Sequence, residues 1–161
     1  MIIQNAKKCD IPYILALYDD ARSYMRKNNN HLQWINGYPN YDIVLQDIDN
    51  NNLYVMLEHG DIVGVFAFIE GIDPSYNYIE GKWLNNEEYG TIHRIASSFK
   101  VKGILKEAVD FAFRKVSNVR IDTHEANIPM QNALKKENFT KCGIIYLQSD
   151  NTPRIAYQKK I

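Results

Sequence analysis

The run Lys100-Val101-Lys102-Gly103-Ile104-Leu105 has the residue types of an anion cradle. First-turn amides of a helix lack internal partners, and the helix dipole adds partial positive charge there. A glycine lets a ligand approach the backbone and two lysines add charge, so the run suits a phosphate or pyrophosphate. The helix itself is predicted by the spacing of Ile104, Leu105, Ala108, Val109, Ala112 and Val116. Just upstream, Ile92, Ile95 and Ala96 give Thr91–Ser97 strand character. Strand, basic turn and amphipathic helix form one unit with a candidate ligand chemistry.

Other chemistries find little support. There is no Gly-x-x-x-x-Gly-Lys-Ser/Thr phosphate loop, no Gly-x-Gly-x-x-Gly fingerprint and no Gly-x-Ser-x-Gly elbow. Cys9 and Cys142 stand apart from one another and from the four scattered histidines, so neither a zinc cluster nor a disulfide framework is expected. Nineteen basic residues balance nineteen acidic ones, which removes any global field toward nucleic acid. The Lys135-Lys136 and Lys159-Lys160 pairs read as solvated faces. The start Met1-Ile2-Ile3-Gln4 has no charged-then-apolar leader, and no apolar run approaches the roughly 20 residues of a bilayer span, so the expected location is cytoplasmic.

A scaffold for the cradle can be read from periodicity. Ile2–Asn5 reads as a strand. Asp10-Ile11-Pro12 predicts a helix start with Asp10 as N-cap, and Ile14, Leu15, Leu17, Tyr18, Ala21 and Met25 continue it to Asn28-Asn29-Asn30. His31–Asn40 is an aromatic loop and Tyr41–Asp49 a second helix. Leu53–Glu58 and Ile62–Glu70 flank His59-Gly60-Asp61, a three-residue turn for an antiparallel hairpin. Asp73–Glu88 is a long loop or carries a short strand. A strand at Val119–Thr123 and a short helix at Pro129–Glu137 follow the cradle. Thr140–Leu147 and Arg154–Lys159 then form a terminal hairpin through Gln148–Pro153. The order β-α-α-β-β-β-α-β-α-β-β predicts an α/β (α+β) mixed sheet with helices on its faces, one domain over residues 1–161.

This order and these residues resemble the GCN5-related N-acetyltransferases, the GNAT superfamily, along essentially the whole chain. That family's pyrophosphate loop reads Arg/Gln-x-x-Gly-x-Gly/Ala. Lys100–Leu105 is similar to it, with lysine first, Gly103 kept and Leu105 in place of the last small residue. A later family segment, Asn-x-x-Ala-x-x-Leu-Tyr-x-x-x-Gly-Phe, has the spacing of Asn127 through Asn138-Phe139. Asn138 replaces the turn glycine, as asparagine can because it tolerates left-handed backbone. Leu134 stands where the family often has a general-acid tyrosine. Gln33-Trp34, Gly37-Tyr38-Pro39, Thr91–Ser98 and Asp122-Thr123-His124 further resemble a group of small bacterial members.

The resemblance implies a GNAT-like acyl-CoA N-acyltransferase fold, with acetyl-CoA as co-substrate and acetyl transfer directly to a primary amine. It implies that Lys100, Val101, Lys102, Gly103, Ile104 and Leu105 hold the pyrophosphate. Backbone at Ile95, Ala96 and Ser97 would hold the pantetheine and the thioester oxyanion. Asn127 contacts the CoA arm, caps the helix after it, or does both. Alternation puts Thr91, His93 and Ile95 on one strand face and Ile92, Arg94 and Ala96 on the other. His93 is then the candidate base, imidazole being suited to collect an ammonium proton, or else a packing histidine. Tyr146 is a candidate acid in place of the missing tyrosine, or a residue buried in the sheet. His124, at a strand end, is expected to be exposed.

Trp34, Tyr38, Tyr78, Glu80 and Trp83 are the candidate acceptor pocket, although Trp34 and Tyr38 suit a seal on the helix–loop junction equally well. No metal is implied. The expected partner is a small-molecule amine, with no nucleic acid or membrane and a homodimer left open. The rival reading is a non-catalytic acyl-CoA-binding or sensing module, which Leu105 and Leu134 favour. A protein-interaction domain without cofactor is a third.

Overall fold

The computed structural model describes residues 1–161. In chain order the elements are β1 (Ile2–Asn5), α1 (Ile11–Lys27), α2 (Tyr41–Asp49), β2 (Leu53–Glu58), β3 (Asp61–Glu70) and β4 (Glu80–Gly81). Then come β5 (Gly90–Ser97), α3 (Ile104–Phe113), β6 (Asn118–Thr123), α4 (Ile128–Lys136), β7 (Thr140–Tyr146) and β8 (Pro153–Lys160). Single helical turns sit at Lys8–Asp10 and Pro74–Tyr76. One mixed sheet takes in all the strands in the order β1-β2-β3-β5-β6-β8-β7-β4. Neighbours are antiparallel except β5 and β6, which α3 connects as a crossover.

Apolar spacing assigns helices to faces. α1 turns Ile11, Ile14, Leu17, Tyr18 and Ala21 onto Leu53, Val55, Val65 and Ala67, with Val44 of α2 beside them. On the opposite face α3 packs Ile104, Ala108, Val109 and Ala112 against Phe66, Phe68, Ile92 and Ile121, and Leu134 of α4 joins that core. Each fully buried aliphatic side chain contributes about 1.5–3 kcal/mol, so packing rather than propensity holds these helices in place. Tyr76, Tyr89, Ile145 and Ala156 make a third cluster beneath the segment between β3 and β5. No helix is long and apolar enough to cross a membrane.

Element ends follow local chemistry. Asn40 accepts from the Ile43 N–H (3.1 Å) and Asn127 from the Met130 N–H (3.2 Å), capping α2 and α4. Asn138 ends α4 with a φ of 64°. Asp10 departs from expectation: its carboxylate accepts from the Lys7 N–H (2.8 Å), capping the preceding turn rather than α1. The β2–β3 turn is also tighter than predicted. His59 and Gly60 have φ of 51° and 83°, the mirror-image turn that suits two-residue hairpins, so Asp61 pairs with Glu58 and belongs to β3.

The alternation expected along β5 is overturned by a bulge. Val65 pairs with Ala96 and Ala67 with His93, so Arg94 and Ile95 together oppose Phe66. Arg94 takes a φ of 49° to accommodate the extra residue. The faces therefore switch in mid-strand. Ile95 joins Ile92 on the α3 side, while Ala96 joins the α1 core that Ala67, the partner of His93, also occupies.

Candidate active site

β5 and β6 pair only at Gly90–Val119 and Thr91–Arg120, and beyond these positions the parallel strands separate. A cavity of about 520 Å³ occupies the gap. Its lining divides by sheet face. Ile92, Ile95, Ile121 and Met130 come from the α3/α4 side and are continuous with its apolar core. Asp73, His93, Arg94, Asp122 and Arg154 come from the other side, with Trp34 and Tyr38 of the α1–α2 loop. An apolar approach and a charged approach meet between two strands.

On the charged side, His93 Nε2 lies 2.7 Å from Asp73 Oδ2. Asp73 is itself held: its Oδ1 accepts from the Ser75 N–H (2.9 Å) and its own N–H donates to Tyr89 Oη (2.8 Å). Burial alone would raise the Asp73 pKa. The bond to His93 and its charge, the Ser75 amide and nearby Arg94 together hold the carboxyl below its ordinary range. Tyr76 packs beside His93 with ring centroids 6.2 Å apart and donates to Asp122 Oδ2 (2.6 Å).

The bulge has its own anchor. Arg94 donates from Nε and Nη2 to both oxygens of Asp47 (2.7 and 2.8 Å) and from Nη1 to Tyr38 Oη (3.0 Å). The fully buried Tyr18 hydroxyl donates to the Arg94 carbonyl (2.8 Å). Burial works against the Arg94 charge, but Tyr38 and Asp47 more than offset it, so its pKa lies above the ordinary arginine value.

Past Ser97 the chain turns toward α3. The Ser97 and Ser98 hydroxyls accept from the Phe99 and Lys100 amides (3.0 and 3.2 Å). The next amides, of Val101, Lys102, Gly103, Ile104, Leu105 and Lys106, donate to no protein acceptor, and the first helical bond runs from Glu107 to Gly103 (3.0 Å). Gly103 has a φ of 87°, and a Cβ there would meet nothing within 4 Å, so the glycine serves the backbone angle rather than clearance. Gly64 gives close approach from below: a Cβ on it would lie 2.9 Å from Ile104 Cδ1. Ile104 is thereby seated on β3 and sets the position of the helix start. Lys100 and Lys102 are exposed, and Leu105 is half-buried against the α3 core.

Of the residues chosen from sequence, Trp34, Tyr38, His93, Ile95 and Asn127 line one cavity. Asn127 caps α4 and also donates to Gln33 Oε1 (3.0 Å), tying α4 to the α1–α2 loop. Trp34 packs edge-on against Tyr18 (5.5 Å), so it lines the cavity and seals the junction at once.

Four residues fall elsewhere. Tyr146 donates to Glu80 Oε1 (2.9 Å), and Tyr146 and Tyr78 line a separate recess. Trp83 stacks 4.0 Å from the Arg120 guanidinium, in a groove at the start of β5 and β6. Pairing of β4 with β7 carries Tyr78, Glu80 and Tyr146 to the sheet's far edge. His124 is buried, not exposed, and its Nδ1 accepts from the Ala126 N–H (3.0 Å). Burial and then Arg154 lower its pKa. Asp73, Asp122, Arg154 and the Asp47–Arg94 pair went unrecognised in the sequence. Only Asp73 had a local signal, the Asp-Pro-Ser of a capped turn. No group of His, Cys, Asp and Glu side chains is placed to hold a metal ion.

No protein-family model matches the sequence and no curated protein matches it, whereas solved structures do. The chain is similar to an acetyltransferase of the GNAT family from Streptococcus agalactiae 2603, at 36% identity over 99% of this chain and 95% of that one, with a TM-score of 0.88. A protein from Staphylococcus aureus Mu50 matches at 25% identity over 99% of both chains, with a TM-score of 0.72. AAC(6')-Ib in complex with ribostamycin and coenzyme A shares the fold, at 14% identity over 98% of this chain and 92% of that one, with a TM-score of 0.65. The chain belongs to the GNAT family of acetyltransferases. It is by class an acetyl-CoA-dependent N-acetyltransferase.

Proposed function

We propose that this enzyme moves an acetyl group from acetyl-CoA directly to the primary amine of a small molecule, with His93 as the base. The observation that carries this reading is the His93–Asp73 pair on one side of a strand gap whose other side runs to unpartnered amides. These residues fit the co-substrate, which supplies an acyl group activated as a thioester. The amides of Val101–Lys106, with Lys100 and Lys102, suit a pyrophosphate. The β5 edge at Ile95–Ser97 has no β6 partner, so its backbone can bond pantetheine amides and the thioester oxygen.

With Nε2–H donated to Asp73, the His93 Nδ1 is the acceptor nitrogen, and it has no protein hydrogen bond of its own. His93 takes a proton from the incoming ammonium. The nitrogen–carbon bond then forms as the carbon–sulfur bond breaks, and the amine's second proton balances the thiol. Direct attack is favoured because neither Cys9 nor Cys142 lines the cavity. A volume of about 520 Å³ suits a small acceptor.

Following CoA release with acetyl-CoA and a panel of primary amines tests the proposal, and amine-dependent release is expected. The second reading, a non-catalytic acyl-CoA-binding module, is favoured by Leu134, which is wholly buried in the core where the family often has its acid tyrosine. Calorimetric binding of acetyl-CoA without turnover on any amine selects that reading. Absence of binding removes both.

A further inference from the structure

The charged side of the cavity holds one guanidinium that its ion pairs do not account for. Arg94 is paired with Asp47 and His93 with Asp73. Arg154, near the start of β8, is only 8% exposed yet forms no ion pair. Its Nη1 donates to Thr152 Oγ1 (3.2 Å) and to the Pro153 carbonyl (2.8 Å), which fixes the guanidinium plane. Nε and Nη2 donate to nothing in the protein. Two carboxylates that line the same cavity are engaged elsewhere: Asp122 accepts from Tyr76 (2.6 Å), and Asp150 from the Thr152 hydroxyl (2.6 Å) and amide (3.0 Å). A buried guanidinium without a carboxylate is costly, and its planar N–H edge matches two carboxylate oxygens.

We infer that the acceptor is an amino carboxylic acid, its carboxylate bound by Arg154 while its amine faces His93. This rests on the N-acetyltransfer reading above and names the substrate class for it. Sheet geometry supports the separation of the two ends. His93 and Arg154 rise from strands with β6 between them, roughly 10 Å apart in a regular sheet and farther where β5 and β6 part. A monoanion is favoured over a phosphate because Asp122 and Asp150 line the same cavity as the guanidinium and would repel a second negative charge. The carboxylate takes no part in the bond changes, which remain nitrogen–carbon formation and carbon–sulfur cleavage.

The test measures initial rates of CoA release for matched pairs, each an α- or ω-amino acid and its carboxamide. The acid is expected to exceed the amide by about 10–100-fold in kcat/KM, the range of a charge-assisted hydrogen bond. Arg154→Gln should bring that ratio near one through KM while leaving acetyl-CoA affinity unchanged, and Arg154→Lys should restore part of it. Equal or faster carboxamides, or a ratio that survives Arg154→Gln, overturn the carboxylate inference and leave acetyl transfer standing. No release from either series or from the wider primary-amine panel, despite bound acetyl-CoA, overturns both. Should Arg154→Gln fail to fold, the wild-type ratio alone decides.

Discussion

The two approaches to the β5–β6 gap are made of different material. On the α3 side, the open groups are backbone: the β5 edge at Ile95–Ser97, which has no β6 partner, and the amides of Val101–Lys106. On the opposite side they are charged side chains from β5, β6, β8 and the segment after β3, with aromatic ones from the α1–α2 loop. A backbone cradle persists under any side chains that keep its turn, whereas a charged cluster changes with each substitution. On the proposed function, the co-substrate falls to the first region and acceptor choice to the second. Arg94 joins them: its left-handed backbone makes the bulge, and its side chain anchors the charged side.

The largest expected effect is on the side-chain region. His93→Ala should lower kcat by about 10²–10⁴-fold, the usual worth of a positioned base, with acetyl-CoA affinity within about twofold by calorimetry. Unchanged turnover removes the histidine from the reaction.

Asp47→Ala should be next, because it strands the buried Arg94 charge. A loss of about 3–5 kcal/mol and a melting shift of roughly 10 °C are expected in thermal denaturation. A loss below about 1 kcal/mol would make this pair energetically equivalent to a surface one.

Asp73 supplies a pH test. Burial raises its pKa, but the bond to His93 and the neighbouring donors win, so the folded value is depressed. Its contribution is whole above the unfolded value of about 3.9 and is lost as pH falls through the lower folded value. Urea midpoints of wild type and Asp73→Asn should therefore differ fully above the unfolded value of about 3.9 and converge progressively as pH falls below it. A gap that does not narrow on acidification contradicts the assignment.

The smallest effect belongs to the backbone region. Lys100→Ala should weaken acetyl-CoA by about 2–5-fold, since an exposed charge is screened and the amides remain. A hundredfold loss would show that the cradle relies on side chains after all, and no loss that the charge is idle.

Much of the fold was readable before the structure because its signals are local. Helical spacing located α1 and α3, Asn127 caps the helix that follows it, and Asn138 ends α4 in left-handed backbone. The cradle was equally readable, since a glycine, a turn and a helix start lie in one short run. His93 could be named, but its partner could not: Asp73 lies 20 residues away, brought up by a loop with no periodicity.

Sequence by itself determined the elements, their polarity and the open amides at the start of α3, because hydrogen bonds and apolar stripes within a few residues decide these. Only the tertiary structure decided the side chains that share the gap. The bulge at Arg94 reverses strand alternation, β4–β7 pairing draws Tyr146 and Glu80 away, and β8 delivers Arg154. Each depends on which strand lies beside which, and such pairing is chosen by burial of whole faces across the sheet, beyond the reach of any local spacing.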